Sequence, residues 1–119
     1  MLLASLNPAA VAAGADIGDA VRIGGVTLSR SDLVGAATSV AERVAGAATV
    51  AVLARPTAAT VLAVVGALIA GVPVVPVPAD VGAAERRHIL TDSGAQAWLG
   101  ELPEDSAGLP HIPVSYTHL

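Results

Sequence analysis

The side chains able to do chemistry in this chain of 119 residues are few and scattered. There is no Cys, which removes a disulfide framework, a thiolate metal site and a cysteine nucleophile. All 6 basic side chains are arginines, at positions 22, 30, 43, 55, 86 and 87. Without lysine the chain holds no phosphate-loop lysine, no Schiff base and no lysine general base. His88 stands three residues after Glu85 on an expected helix, but two such groups are too few for a metal site. A half-exposed helical histidine is the simpler reading. Glu85, Arg86 and Arg87 read as a solvated helical face with local charge pairing. His111 and His118 lie in irregular sequence without partners at useful spacing, so no Ser-His-Asp arrangement forms.

Glycines could cradle phosphates, yet neither candidate here has the right setting. Gly24-Gly25 joins two short apolar runs and reads as a hairpin turn, with no helix N-terminus directly behind it. Gly14-Ala15-Asp16-Ile17-Gly18 has no strand before it and fails the dinucleotide fingerprint. Arg55 lies in a loop where open α/β sheets bind ligands; it could meet an anion there, although a solvated loop arginine is the commoner case. No catalytic, cofactor-binding or metal-binding residue is assigned from the sequence.

The elements that would position these residues follow from pattern. Hydrophobic residues make up 54% of the chain against 13% charged, so a packed core is expected. Aromatics are only 2%, so that core must be built mainly from Ala and Val at close approach. Val21, Ile23, Val26 and Leu28 predict a hairpin over 20–29. Ser29, with Asp32 three residues on, predicts a helix start; Leu33, Ala37, Val40 and Val44 continue it to a stop at Gly46. Thr49 to Ala54 reads as a strand buried on both faces. Thr57 caps a nearly all-apolar helix over Ala58 to Ala70, and Gly71 ends it. Val72 to Val77 is the next strand. A third helix runs from about Ala84 to Ser93, with Ile89 and Leu90 facing inward, followed by a short strand at Ala97-Trp98-Leu99.

Strand, helix, strand, helix, strand predicts an α/β fold: a partial doubly wound, mainly parallel βαβαβ sheet preceded by a β-hairpin and helix. The domain reading is an N-terminal leader over 1–19, the folded part over 20–100, a Pro-rich acidic linker over 101–113 and a tail over 114–119. That tail, Val114-Ser115-Tyr116-Thr117-His118-Leu119, resembles a translated sequencing-adapter segment and is expected to be non-native, with no role for Tyr116 or His118.

Partners are bounded as well. Net charge is −4, which leaves no basic face for nucleic acid. Mean hydropathy is +0.70, but Gly71 and Pro73 interrupt the longest uncharged run, leaving about 14 helical residues where a span needs ~20. No membrane span is expected. Residues 1–15 carry no charge and so lack the positive region of a secretory signal; with the lack of Cys this predicts a cytoplasmic protein.

Three segments carry a family resemblance. Leu28-Ser29-Arg30-Ser31-Asp32-Leu33 resembles the Leu-Thr-Tyr-x-Glu-Leu segment of the adenylate-forming acyl-CoA synthetases, with Arg30 at the aromatic position. Leu68-Ile69-Ala70-Gly71-Val72-Pro73-Val74-Val75-Pro76-Val77 is similar to their Leu-Lys-Ala-Gly-x-x-x-Val-Pro-Leu segment, with Ile69 at the lysine. Glu85 to Ala95 resembles their Glu-Arg-x-x-x-Ile-Leu-x-Asp-Ser-Gly-Ala segment. The resemblance implies the N-terminal part of the AMP-binding fold, nearest to the malonyl- or medium-chain acyl-CoA synthetase type. It implies a parent ligase of fatty acid metabolism that activates a carboxylic acid with Mg-ATP and passes the acyl group to coenzyme A. Acyl-AMP ligases and adenylation domains share these segments. The family's Lys-bearing phosphate loop, ribose site and C-terminal lysine do not occur in this chain, so the piece itself is expected to be inactive. The competing reading is a free-standing, non-catalytic α/β binding or interaction module.

Overall fold

The computed structural model describes residues 20–23 and 25–114. The expected leader, the Gly14–Gly18 segment, Gly24, Tyr116 and His118 lie outside the described residues.

The hairpin forms as expected. Strands β1 (Val21–Ile23) and β2 (Val26–Leu28) pair antiparallel, Val21 opposite Leu28 and Ile23 opposite Val26. Gly25 takes a φ of +79°, which a side chain would resist at this turn. Helix α1 (Arg30–Val44) starts on Ser29, whose Oγ accepts the Asp32 N–H at 3.0 Å. It buries Leu33, Ala36, Ala37, Val40 and Val44 along one face and ends two residues before Gly46.

Strand β3 (Val50–Ala54) is buried over its first four residues. Helix α2 (Ala58–Ala70) has the expected bounds: the Thr57 hydroxyl accepts the Thr60 N–H, and Gly71 closes it at φ +72° with its N–H on the Leu68 carbonyl. Strand β4 (Val74–Pro78) begins two residues after the expected start, because the Val72 N–H is still held by the Ala67 carbonyl of the helix cap. Helix α3 (Ala83–Ser93) leads through Gly94 to β5 (Trp98–Leu99). Of its two apolar residues expected to face inward, Leu90 is buried and Ile89 partly so.

The four-stranded sheet has the order β4-β3-β5-β6, all parallel, and the hairpin stands apart from it. Alternation along β3 sends its side chains to two cores. Val50 and Val52 join Val40, Val44, Ala63, Ala67 and Leu99 under α1 and α2. Ala51 and Leu53 join Val77, Leu90 and Trp98 under α3. Helices thus cover both faces, which is the expected partial doubly wound arrangement. Between α1 and α2, Gly66 lets the backbones meet: a Cβ there would lie 2.5 Å from Val40 Cβ and 2.9 Å from the Ala37 carbonyl.

The stretch expected as a surface linker behaves otherwise. It ends in β6 (His111–Ile112), which pairs parallel with β5. Its loop also packs on the sheet, since Ser106 accepts the Trp98 indole N–H at 2.9 Å and Leu109 packs on the second core. Val114, the first residue of the expected tail, packs partly buried against the α1–α2 and hairpin cores. These contacts join residues far apart in sequence, so no local pattern announces them.

Candidate functional site

Parallel strands place their C-terminal ends at one edge of the sheet, and that edge is where this fold class binds ligands. Strand β3 delivers Arg55-Pro56-Thr57 there, β4 delivers Ala79-Asp80-Val81, and β5 delivers Gly100-Glu101. A cavity of about 260 Å³ opens between them, lined by Leu53, Arg55, Ala79, Val81, Arg86, Pro103 and Glu104. Thr57 and Thr60 brace its neighbouring loop, the Thr60 hydroxyl bonding to the Leu53 carbonyl at 3.3 Å.

Arg55 is exposed, as expected, and its Nε lies 3.5 Å from Glu101 Oε2 across the mouth. Arg86 corrects the sequence reading. Instead of a solvated face it is buried, with 8% exposure. Its guanidinium donates to the Val81 carbonyl at 3.3 Å and the Asp105 carbonyl at 3.4 Å, while Nε has no protein partner. Burial of a charge is tolerated only with such bonds, so Arg86 ties the β4–α3 loop to the loop after β5. Its neighbour Arg87 points outward and pairs with Asp105 Oδ2 at 2.8 Å. Glu85 and His88 are exposed on α3 as expected.

Asp105 is the anchor of that second loop. The Ala107 N–H bonds to Oδ1, and this bond first, then the Arg87 side chain, holds its carboxyl below the ordinary value. A depressed carboxylate favours the docked loop above the usual carboxylate range and loses that contribution as pH falls through its own lower value. The emission of Trp98, whose indole N–H bonds to the Ser106 carbonyl of this loop, should therefore stay constant from neutrality down to about pH 4 and change only below it. The Asp105→Asn chain should show a weaker acid transition; an unchanged one would remove Asp105 from the account.

His111, read as partnerless, contacts the Gly100 carbonyl through Nε2. Sequence offered no signal for it, because the contact arises from the β5–β6 pairing. A larger open cavity of about 550 Å³ lies between α3 and the 105–109 loop, lined by Arg87, Thr91, Gly94, Asp105 and Leu109 among others. Among the described residues no group of three His, Asp or Glu is placed to hold a metal ion. No helix among them is long and apolar enough to cross a membrane.

The family model of AMP-binding enzymes matches residues 18–115. The chain belongs to that family. Two solved structures extend the match. One is titled a malonyl-CoA ligase ternary product complex with methylmalonyl-CoA and AMP bound: TM-score 0.72, 35% identity, covering 83% of this chain and 22% of that one. The other is titled the crystal structure of IdnL7: TM-score 0.66, 28% identity, covering 83% of this chain and 25% of that one. The chain thus spans about a quarter of the length of these relatives. A comparison with curated proteins found no match.

Membership in the AMP-binding family implies ATP and Mg for a complete enzyme. Lysine is absent throughout the chain. The mouth of the sheet balances Arg55 and Arg86 against Glu101 and Glu104, which gives no net attraction for a polyphosphate. These residues do not fit the ATP phosphates or Mg. What they build is a scaffold edge: two arginines and an aspartate holding the loops at the strand ends.

Proposed function

We propose that this AMP-binding family chain is the front portion of an ATP-dependent acid–CoA ligase and is inactive on its own. The observation that carries the proposal is the likeness to the malonyl-CoA ligase structure, at 35% identity over most of this chain but only 22% of that one. In the complete enzyme a carboxylic acid and ATP would give an acyl-adenylate and pyrophosphate, and coenzyme A would then take the acyl group. The fragment's part is structural: its parallel strands and the loops at their C-terminal ends form one wall, and the reacting groups come from segments outside it. ATP and coenzyme A as substrates, together with the lack of Cys, support a cytoplasmic setting.

Acid-dependent exchange of pyrophosphate into ATP tests both halves. The purified chain should give no exchange above a protein-free control with malonate, methylmalonate or medium-chain acids. A protein whose reading frame continues from this chain through a Lys-bearing phosphate loop should give exchange with at least one of them. Exchange by the short chain would defeat its assignment as inactive. A continued frame that encodes no such loop would defeat the ligase parent.

A further inference from the structure

The outer side of β4 is an open edge of the sheet among the described residues, and its prolines fall in one register on it. The Val50 N–H bonds to the Pro73 carbonyl at 3.0 Å, which fixes which backbone groups of β4 face β3. Groups of one residue point to one side of a strand and alternate along it. Residues 73, 75 and 77 therefore serve β3, while 74, 76 and 78 face outward. The outward set is Val74, Pro76 and Pro78, so of three positions that would offer an N–H to a new neighbour only Val74 has one. Val75 and Val77, which must donate to β3, carry theirs. Pro76 and Pro78 are both exposed, so no core packing demands them.

We infer that β4 is a closed edge: its outward prolines refuse a β-strand from a second copy of this chain. A partner strand needs alternating donors and acceptors, and this edge offers carbonyls almost alone. The refusal is selective, because the inward positions keep the β3 ladder intact over the whole of Val50–Ala54. It matters here because β4 is otherwise a five-residue strand rich in Val with an open outer edge among the described residues, the kind of edge that templates association.

The lack of native Cys allows a direct test on the full chain. Val74→Cys places a single thiol at the edge, and a bismaleimide long enough to span several strand residues reports a copy docked there. A second thiol variant, Leu68→Cys, samples the α2 surface, where Leu68 is 41% exposed. The unaltered edge should cross-link through Val74→Cys no better than a denatured control. Adding Pro76→Val and Pro78→Val returns two donors per copy and should raise cross-linking and association by about tenfold or more. Efficient Val74→Cys cross-linking with the prolines in place would overturn the inference, whether or not the double variant folds. A folded double variant that gains nothing would overturn it too. Cross-linking through Leu68→Cys with Val74→Cys silent supports it, since copies then meet at the helix rather than at the strand.

Discussion

A Gly66→Val chain should lose about 3 kcal/mol of stability or more, a large share of what a small domain has. The cause is the approach of α1 to α2. Even a single methyl at position 66 would sit 2.5 Å from Val40 Cβ and 2.9 Å from the Ala37 carbonyl, both inside ordinary contact. The carbonyl belongs to the α1 backbone, so relief requires moving one helix against the other. Gly66→Ala gains roughly 1 kcal/mol of helix propensity while meeting the same clash, and should therefore lose less than the valine variant. Val40→Ala removes the Cγ1 methyl, the atom that a Cβ at position 66 would meet first, and leaves the Val40 Cβ and the Ala37 carbonyl in place. Combined with Gly66→Ala, it should recover roughly 1 kcal/mol or more relative to the sum of the single losses. Urea unfolding of the four chains measures the coupling. Strict additivity would mean that Val40 does not set the helix separation.

That glycine shows what the sequence made legible and what it did not. The bounds of α2 could be read directly, since Thr57 and Gly71 are local signals acting on the backbone beside them. The hairpin and the start of α1 were legible for the same reason. Gly66 lies inside an apolar helix where glycine costs about 1 kcal/mol, but its packing role was not read from the sequence, because nothing local names Val40 as its partner. Arg86 and Arg87 stand side by side among charged neighbours, so their opposite fates could not be read from spacing. Burial of one depends on the loop that carries Asp105, which returns 18 or 19 residues later. The candidate site was legible only as a place, the ends of the parallel strands. The same limit hid β6: a strand of two residues beside two prolines has no period to detect, and it exists because β5 offers it a ladder.

Trp98→Ala should be the most damaging single truncation, losing about 3–5 kcal/mol and leaving much of the chain unfolded at room temperature. Trp98 is fully buried and is the largest side chain in a core otherwise made of Ala, Val and Leu. Small neighbours cannot swing in to fill the void, so the cavity should persist rather than collapse. The indole also does a second job that alanine confounds with the first: its N–H holds the Ser106 carbonyl, and with it the loop between β5 and β6. Trp98→Phe separates the two, keeping most of the apolar volume while leaving that carbonyl without its donor, at a cost of about 1–3 kcal/mol. If the bond secures the loop, limited proteolysis of the phenylalanine chain should open first between Glu101 and Leu109 while circular dichroism still reports folded helices. Cleavage spread evenly over the chain would instead mean that the loop is held by Arg86 and Asp105 alone, with the indole serving only as filler.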